Sequence, residues 1–245
     1  MSLLVLGANS LIAQAAASHF AEAGHELIFG GRKQDEPEKY AKDFSIRYKT
    51  NCRAEYIDAL DYSSHKKFVE EVLAKTPELE YVLIVFGYLG TQEKAQSDFT
   101  EAHRIIDTNF TGVVSVCELL AAEFESVKKG NIAVISSVAG DRGRQSNYMY
   151  GSAKGGLTVY LSGLRNRLFK SGVNVLTIKP GFVNTPMTYG MPLPKPLVAS
   201  PEKVGKDIYK AMIKRKSVIY TPFFWRWIML IITSIPEFMF KKLKL

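Results

Sequence analysis

Short apolar segments recur along this chain, and each is separated from the next by a stretch of helical length and periodicity. Regular alternation of strands and helices requires right-handed crossovers between parallel strands. The sequence therefore predicts an α/β fold: a single-domain, Rossmann-like, doubly wound parallel sheet with helices on both faces. The predicted strands are residues 3–6, 25–29, 53–57, 81–85, 131–136, 174–178 and 217–220.

The length of 245 residues, with 47% hydrophobic and 23% charged residues, is enough for one such domain with a sizeable core. We expect residues 1–222 to form this domain. Because the first strand begins almost at Met1, there is no room for a secretory signal peptide. We therefore expect a cytoplasmic protein.

Metal and disulfide chemistry are not expected. Cys52 and Cys117 lack metal-ligand spacing and are interpreted as reduced structural thiols. The four histidines are scattered, with no cysteine or carboxylate at ligand spacing.

The formal net charge of +8 is compatible with nucleic acid, an anionic membrane or an anionic cofactor and substrate. No recognisable nucleic-acid motif accompanies the charge, so a nucleic-acid partner is not expected. Part of the excess lies in Lys241, Lys242 and Lys244, which follow an apolar segment. This placement favours a membrane or phosphate partner.

A tyrosine and a lysine lie four residues apart at Tyr150 and Lys154. On a helix, side chains at i and i+4 share one face, so the ammonium and the phenol are expected to be neighbours. A nearby cation favours the phenolate and lowers the phenol pKa from its usual value near 10. Tyr150 is therefore predicted to be an acid/base group.

Three further motifs accompany this pair in a characteristic order. Asn109 lies in Asp-Thr-Asn-Phe-Thr-Gly, Ser137 lies in Ile-Ser-Ser-Val-Ala-Gly, and residues 179–187 read Lys-Pro-Gly-Phe-Val-Asn-Thr-Pro-Met. With these motifs the chain resembles the short-chain dehydrogenase/reductases from residue 3 to about residue 222. The resemblance implies an NAD(P)-dependent oxidoreductase with Asn109, Ser137, Tyr150 and Lys154 as its catalytic residues.

The resemblance also implies a role for each catalytic residue. Ser137 donates a hydrogen bond to the substrate oxygen, and Tyr150 exchanges the hydroxyl proton. Lys154 lowers the pKa of Tyr150 and, with it, holds the nicotinamide ribose. Asn109 holds a water that links Lys154 to solvent.

The first crossover is the expected pyrophosphate site, because the start of a helix offers free backbone N–H groups. The family pattern has three glycines here, and this chain keeps only the first of them as Gly7; Leu11 and Ala13 occupy the other two positions. The residues expected to contact the cofactor are Gly7, Asn9, Ser10, Leu11 and Ile12.

Cofactor choice is expected to depend on the end of the second strand, which reads Gly-Gly-Arg-Lys up to Lys33. An arginine accommodates the 2′-phosphate of NADP, whereas NAD enzymes place a carboxylate there. Arg32 therefore favours NADP(H) over NAD(H). In the alternative, Asp35 or Glu36 takes the carboxylate role and Arg32 stacks on adenine.

Further cofactor contacts follow from the resemblance. The acid that contacts adenine corresponds best to Asp61, with Asp58 as the alternative, although either could instead cap a helix. Gly87 is what remains of the family's Asn-Asn-Ala-Gly. The other expected contacts, including a carboxamide contact from Thr185, are Pro180, Gly181, Val183 and Thr185.

Residues 185–205 are rich in proline and methionine without clear periodicity. A long loop in a compact domain is typical of a lid or binding loop, so we expect it to contact a substrate with hydrophobic parts. The alternative is a loop that packs on its own domain.

Residues 223–245 form an amphipathic tail. Wound as a helix, it places Arg226 and Lys241 on one side and Phe224, Ile228, Ile231, Ile235 and Phe238 opposite. It is too short and too interrupted to span a bilayer. We predict either an interfacial helix pair anchored by Trp225 and Trp227 at the inner face of the membrane, or a subunit contact in a homodimer or homotetramer.

Residues 150–154, 161–168 and 175–188 are similar to a subgroup, the keto-reductase half of the epimerase that makes polyprenylphosphoryl arabinose from its ribose isomer. This implies a small-molecule or lipid-linked keto-sugar substrate. The alternatives are a carbonyl reductase or alcohol dehydrogenase for steroid, retinoid or acyl substrates, and a non-catalytic dinucleotide sensor.

Overall fold

The computed structural model describes residues 1–33 and 35–243. Its strands are β1 (Ser2–Leu6), β2 (Glu26–Gly31), β3 (Cys52–Tyr56), β4 (Leu79–Ile84), β5 (Asn131–Ile135), β6 (Asn174–Pro180), β7 (Phe182–Val183), β8 (Val198–Ala199) and β9 (Val218–Thr221). Its α-helices are α1 (Leu11–Glu22), α2 (Asp35–Tyr48), α3 (Tyr62–Lys75), α4 (Gln92–Ser97), α5 (Phe99–Ile106), α6 (Gly112–Val127), α7 (Tyr148–Leu168), α8 (Pro201–Ile213), α9 (Trp225–Ser234) and α10 (Glu237–Phe240).

Seven strands form one parallel sheet in the order β3-β2-β1-β4-β5-β6-β9. This confirms the predicted Rossmann-like fold, and the predicted strand ends differ by no more than two residues. The short parallel pair β7–β8 was not predicted, because two-residue strands carry no periodicity.

Each face of the sheet is covered by helices. Alternate residues of β1 point to opposite faces: Leu4 and Leu6 pack with α3, α6 and α7, whereas Leu3 and Val5 pack with α1, α2 and α8. Burial on both faces explains why the strands read as continuous apolar runs.

The strand order reverses between β1 and β4. The chain steps outward from β1 through β2 to β3, then returns to place β4 on the other side of β1. Adjacent connections therefore diverge at the carboxyl ends of β1 and β4, which opens the crevice where open α/β sheets bind ligands.

One continuous helix, Phe99–Val127, is long and apolar enough to cross a membrane by length and composition, with a mean hydropathy of 1.4. It comprises α5, a π-helical segment (Asp107–Thr111) and α6, and it packs against α3 and α7. Its apolar side is therefore part of the core beneath the sheet.

The chain after β6 departs from expectation in the loop. The predicted loop over 185–205 ends earlier, because Ser200 caps α8 and Pro201 occupies its first turn. The tail consists of two helices separated at Pro236, and Ile231 and Phe238 on its predicted apolar face are 68% and 64% exposed.

The side of α9 that is buried is centred on Trp225 and Met229, each 2% exposed. Arg142 holds the end of this helix, donating to the carbonyls of Ile232 and Ile235 at 2.9 and 2.5 Å. Of the two tryptophans predicted to anchor the tail in a membrane, Trp225 is buried in its own subunit, whereas Trp227 is 58% exposed. Lys244, one of the three lysines expected to favour a membrane or phosphate partner, lies outside the described residues.

Candidate active site

A cleft of about 400 Å³ lies at the carboxyl ends of the central strands. It brings together most of the residues predicted for catalysis and cofactor binding. Those that line it are Gly7, Asn9, Ser10, Leu11, Ile12, Arg32, Gly87, Ser137, Tyr150, Lys154, Pro180, Gly181, Val183 and Thr185. Asn109 and Asp61 are not among the lining residues.

The turn after β1 requires a glycine. Gly7 has φ +98°, and a Cβ there would lie 3.1 Å from the carbonyl carbon and oxygen of Val85. The N–H groups of Gly7 and Ala8 both donate to the carbonyl of Gly30, which fixes the turn. The chain thus reaches the start of α1 tightly against β4.

The first turn of α1 faces the cleft. Ser10 caps the helix, its Oγ accepting from Ala13 N at 3.4 Å. The N–H groups of Leu11 and Ile12 precede the first intrahelical bonds and so are free to bind an anion. This geometry suits a pyrophosphate although two of the family's glycines are absent.

Lys154 is 1% exposed, and its ammonium is directed at backbone carbonyls. Nζ donates to Ile135 O at 3.0 Å and to Phe86 O at 3.4 Å, and it lies 5.8 Å from the centroid of the Tyr150 ring. Burial lowers the pKa of Lys154 to about 7, because the charged ammonium loses its hydration. The lysine therefore ties the ends of β4 and β5 together.

The phenol pKa differs from the sequence-based prediction. Burial raises the pKa of Tyr150 to about 12, and a hydrogen bond with Ser137 acts in the opposite direction. The expected lowering by Lys154 is absent because desolvation penalises both charged forms. In this state Tyr150 holds its proton at neutral pH.

Ser137 reaches the cleft from a short turn that packs directly on α7. Its Oγ accepts from Ala139 N at 3.1 Å, which begins the single helical turn Val138–Gly140. A Cβ at Gly140 would lie 2.6 Å from the carbonyl carbon of Lys154, and one at Gly151 would lie 2.9 Å from Ala139 O. These glycines let the serine approach Tyr150, a role that sequence reasoning missed.

Asn109 is fully buried outside the cleft, in the π-helical segment. Its Nδ2 donates to Tyr88 O at 2.6 Å and to Ile105 O at 2.8 Å, and its Oδ1 accepts from Tyr88 N at 3.2 Å. Its side chain therefore clamps the loop after β4.

The end of the cleft beside β2 carries Arg32 and Glu36, and both line it. Arg32 is exposed, whereas the Glu36 carboxylate is paired with Lys33 at 3.1 Å. A Cβ at Gly31 would lie 2.9 Å from Pro37 Cγ, so the chain turns sharply here.

The two acids after β3 are placed differently. Asp58 lines the cleft, and its Oδ1 accepts from Leu60 N at 3.0 Å. Asp61 lies outside the cleft at the start of α3, where its carboxylate accepts from Ser63 Oγ at 2.6 Å. The structure thus brings the alternative acid to the site.

The Asp58 loop has two supports that sequence reasoning missed. His65 is fully buried, and its ring nitrogens contact Asp58 O at 2.8 Å and Ser115 Oγ at 2.9 Å. A Cβ at Gly112 would overlap the carbonyl of Ala59. The Asn-Phe-Thr-Gly motif therefore ends in a glycine because another backbone segment occupies the side-chain position.

Residues 180–188 form the remaining wall. Thr188 Oγ donates to Val183 O at 2.5 Å and accepts from Thr185 N at 3.3 Å, which closes a compact turn. A Cβ at Gly87 would lie 3.5 Å from Met187 Cε, so this segment crosses the cleft opposite the loop after β4. The indole of Trp225 occupies the space beside Gly181.

In residues 1–33 and 35–243 no group of three or more histidine, cysteine, aspartate or glutamate side chains is arranged to hold a metal ion.

Comparison with known proteins agrees with this geometry. A family model described as short chain dehydrogenase matches residues 2–193. An uncharacterized oxidoreductase of Mycobacterium tuberculosis is 32% identical over 241 residues, 98% of this chain and 96% of that protein. Sulfoacetaldehyde reductase 2 of Chromohalobacter salexigens is 28% identical over 188 residues, 76% and 74% of the two chains.

A solved structure has the same fold. The short-chain dehydrogenase from Sphingobium yanoikuyae in complex with NADPH superposes with a TM-score of 0.81 at 20% identity, covering 97% of each chain. The family match, the relatives and the cleft together show that this chain belongs to the short-chain dehydrogenase/reductase family and is an NAD(P)-dependent oxidoreductase.

Proposed function

We propose that this protein reduces a keto group on an amphipathic substrate, with NADPH as the reductant. The observation that carries the proposal is the convergence of Ser137, Tyr150 and Lys154 on one cleft that also contains the Gly7 turn and the start of α1. A dinucleotide sensor would need only the nucleotide part of this cleft.

The residues present fit a dinucleotide. Gly7 forms the tight turn against the Val85 backbone that leads into α1, and the N–H groups of Leu11 and Ile12 at the start of α1 supply the anion site. Asp58, Tyr150 and Lys154 all line the cleft, which supports assigning Asp58 to the adenine and Lys154 with Tyr150 to the nicotinamide ribose. When bound, the cofactor supplies a hydride to the substrate carbon.

NADP(H) is favoured by the charges beside β2. Arg32 is exposed and lines the cleft, so its guanidinium is available to a 2′-phosphate. Glu36, the alternative ribose acceptor, is engaged with Lys33. A 2′-phosphate next to Arg32 would add a favourable charge pair that NAD cannot make.

The chain's own residues perform the proton chemistry. Ser137 donates a hydrogen bond to the carbonyl oxygen and so stabilises the negative charge that develops there. Tyr150 delivers its proton to the same oxygen. Because burial raises the pKa of Tyr150 to about 12, the phenol is protonated at neutral pH. It therefore carries the proton that reduction of the substrate carbonyl requires.

Lys154 acts as a positioning residue in the cofactor-free protein and as a charge beside Tyr150 once an anionic cofactor is bound. Burial lowers the pKa of Lys154 to about 7, and the negative charge of a bound cofactor would raise that pKa and favour the ammonium. Asn109 positions the loop that carries Tyr88.

Apolar side chains in the walls of the cleft support an amphipathic substrate. Met187 and Pro186 line it, and Tyr189 and Met191 are exposed just beyond. These apolar groups suit a substrate with a hydrophobic part. A polyprenylphosphate-linked keto-sugar is our first candidate, and a steroid, retinoid or acyl ketone is the second.

We further propose that the tail contacts an anionic membrane at the cytoplasmic face. The tail docks on its own domain through Trp225 and Met229, yet leaves a set of large apolar side chains exposed. They lie near the basic residues Arg226, Lys241 and Lys242, a combination typical of an interfacial helix. The exposed set is Phe223, Trp227, Leu230, Ile231, Phe238 and Met239.

The reaction is tested by stopped-flow oxidation of NADPH and of NADH with a panel of ketones, from keto-sugars and their lipid phosphates to steroid and acyl ketones. We expect hydride transfer from NADPH, fastest with the amphipathic keto-sugars. Tight binding of NADPH without transfer to any member would favour the sensor instead.

The tail is tested by sedimentation with vesicles of anionic or zwitterionic lipid, using the full chain. We expect binding to the anionic vesicles that is lost in Trp227→Ser/Ile231→Ser. Unchanged vesicle binding by this variant would overturn lipid contact through this face. A change only in the oligomeric state would show that the face contacts another subunit of a dimer or tetramer.

A further inference from the structure

Arg104 is a cationic side chain that lines the cleft and is not among the residues expected to contact the cofactor. It lies on α5 and is exposed. Arg32 and the first turn of α1 already provide for the cofactor phosphates at the β2 end. Among the described residues, no carboxylate lies within ion-pair distance of the Arg104 guanidinium, although it lines the same cleft.

Arg104 lines the cleft on the side that carries Tyr88. The guanidinium carbon of Arg104 lies 4.3 Å from the centroid of the Tyr88 ring. Tyr88, Met149 and Tyr150 pack against one apolar cluster. The Tyr88 ring therefore connects Arg104 to the cluster that Tyr150 contacts.

The ring beneath Arg104 is held at several points. Its hydroxyl donates to Glu101 Oε1 at 2.9 Å, and its backbone N–H and carbonyl are both bonded to Asn109. Glu101 is itself 5% exposed and accepts from Thr91 N at 3.2 Å. Tyr88 is thus a rigid platform.

Stacking on this platform orients the guanidinium. A planar guanidinium on an aromatic face keeps its N–H donors at its edges, where they can bind two oxygens of an oxyanion at once. Because the platform is already fixed, little conformational entropy is lost when a ligand binds. The arrangement is a preorganised half-site for a phosphate ester.

We propose that Arg104 binds a phosphate ester group of the substrate and so places the keto group beside Tyr150. This inference rests on the proposed function and deepens it, because it names the charged group of the amphipathic substrate. It also gives Asn109 a purpose beyond the fold, since Asn109 fixes the platform on which Arg104 lies.

The test measures binding without turnover. Phenyl phosphate and phenol are titrated into the full-length protein saturated with NADP⁺, so that the cofactor's own phosphate sites are filled. We expect phenyl phosphate to bind more tightly than phenol, and its Kd to rise at least tenfold in Arg104→Gln. Arg104→Lys keeps the positive charge but loses the paired N–H donors of the guanidinium. Its Kd for phenyl phosphate should lie between those of the wild type and Arg104→Gln.

Lys67→Gln is the matched control, because Lys67 is an 80% exposed cation of α3 that does not line the cleft. Its Kd for phenyl phosphate should equal that of the wild type. Equal Kd values for the wild type and Arg104→Gln, or no preference for phenyl phosphate over phenol, would overturn the proposal. Because no hydride moves, its failure is distinguishable from failure of the proposed reaction.

A kinetic measurement provides a second readout. For a phosphorylated ketone and its unphosphorylated counterpart, Arg104→Gln should lower kcat/KM for the first by at least tenfold and leave the second unchanged. Equal losses on both ketones would mean that Arg104 supports the fold of the cleft and binds no phosphate.

Discussion

At the scale of single residues, Lys154 shows how the fold overrides a local pattern. Tyr150 and Lys154 are four residues apart in the sequence, and both side chains line the same cleft. The direction of the ammonium is set instead by the carbonyls of Ile135 and Phe86, which lie on two other strand ends. A sequence pattern cannot supply those acceptors, so the predicted direction of the phenol pKa shift was wrong.

The burial of Lys154 has a consequence for stability. The folded protein binds a proton there with a pKa of about 7, against 10.5 in the unfolded chain. Between these values the unfolded chain holds more protons, so stability rises with pH. We expect the free energy of unfolding of the cofactor-free protein to increase from pH 7 to pH 9 relative to Lys154→Met.

Urea unfolding of both proteins across that range measures this difference. The range stops at pH 9 because Cys52 titrates beyond it. The pKa of Cys52 is raised from the ordinary thiol pKa of 9.0 to about 11, so the free energy of unfolding falls with pH above 9. Parallel pH profiles for the two proteins would contradict the burial of an ammonium at this site.

Arg32 is expected to set cofactor choice. Removing the guanidinium in Arg32→Gln deletes a charge-assisted contact worth about 1.5–3 kcal/mol, so the Kd for NADPH should rise roughly ten- to a hundredfold. The Kd for NADH should not change. Fluorescence titration of both cofactors checks this, and an equal loss for both would mean that Arg32 stacks on adenine.

At the scale of elements, the turn that carries Ser137 depends on close backbone packing against α7. Gly151 and Gly163 lie on the same helix in different surroundings: a Cβ at Gly151 would lie 2.9 Å from Ala139 O, whereas none of the described heavy atoms lies within 4 Å of a Cβ at Gly163. The two positions form a matched pair.

We expect Gly151→Ala to destabilise the protein by roughly 1–3 kcal/mol and to lower kcat, because the Ser137 turn must move. Gly163→Ala should stabilise it by about 0.5–1 kcal/mol through helix propensity alone, with unchanged kcat. Thermal unfolding and steady-state rates measure both. Equal effects of the two substitutions would mean that the turn is not packed on α7.

The tail offers another pair. Trp225 is 2% exposed beside Gly181 and Phe182, so Trp225→Ala should cost roughly 3–5 kcal/mol of stability and disturb the cleft wall. Trp227 is 58% exposed, so Trp227→Ala should change stability by no more than about 0.5 kcal/mol. The reverse order in chemical unfolding would contradict this docking of α9.

The tail also marks a limit of prediction at this scale. Helical periodicity indicates an amphipathic segment, but the face that is buried depends on where the helix begins and breaks. Here Pro236 ends α9, and Arg142, distant in sequence, binds its last carbonyls. The buried pair Trp225 and Met229 follows from that docking site.

At the scale of the whole molecule, strand alternation was enough to predict the parallel sheet, and the reversal of strand order confirms it. The residues that meet in the cleft were predicted by the resemblance to the short-chain dehydrogenase/reductases, and the alternation predicted only that ligands bind at the carboxyl ends of the strands. Structural supports such as the contact of His65 with Ser115, or the hydrogen bonds of Asn109 with Tyr88, join segments far apart in sequence. They have no periodic signature, so only the structure reveals them.

Tyr150 is expected to donate a proton in a reaction driven by NADPH bound in this cleft. A single-turnover measurement of NADPH oxidation by Tyr150→Phe, with cofactor binding followed on the same samples by thermal unfolding, tests this role. We expect NADPH at about 100 times its Kd still to stabilise the variant by about 2.7 kcal/mol, while the rate of NADPH oxidation falls roughly 10²–10⁴-fold. A variant that binds NADPH and reduces the substrate at the wild-type rate would rule out Tyr150 as the proton donor.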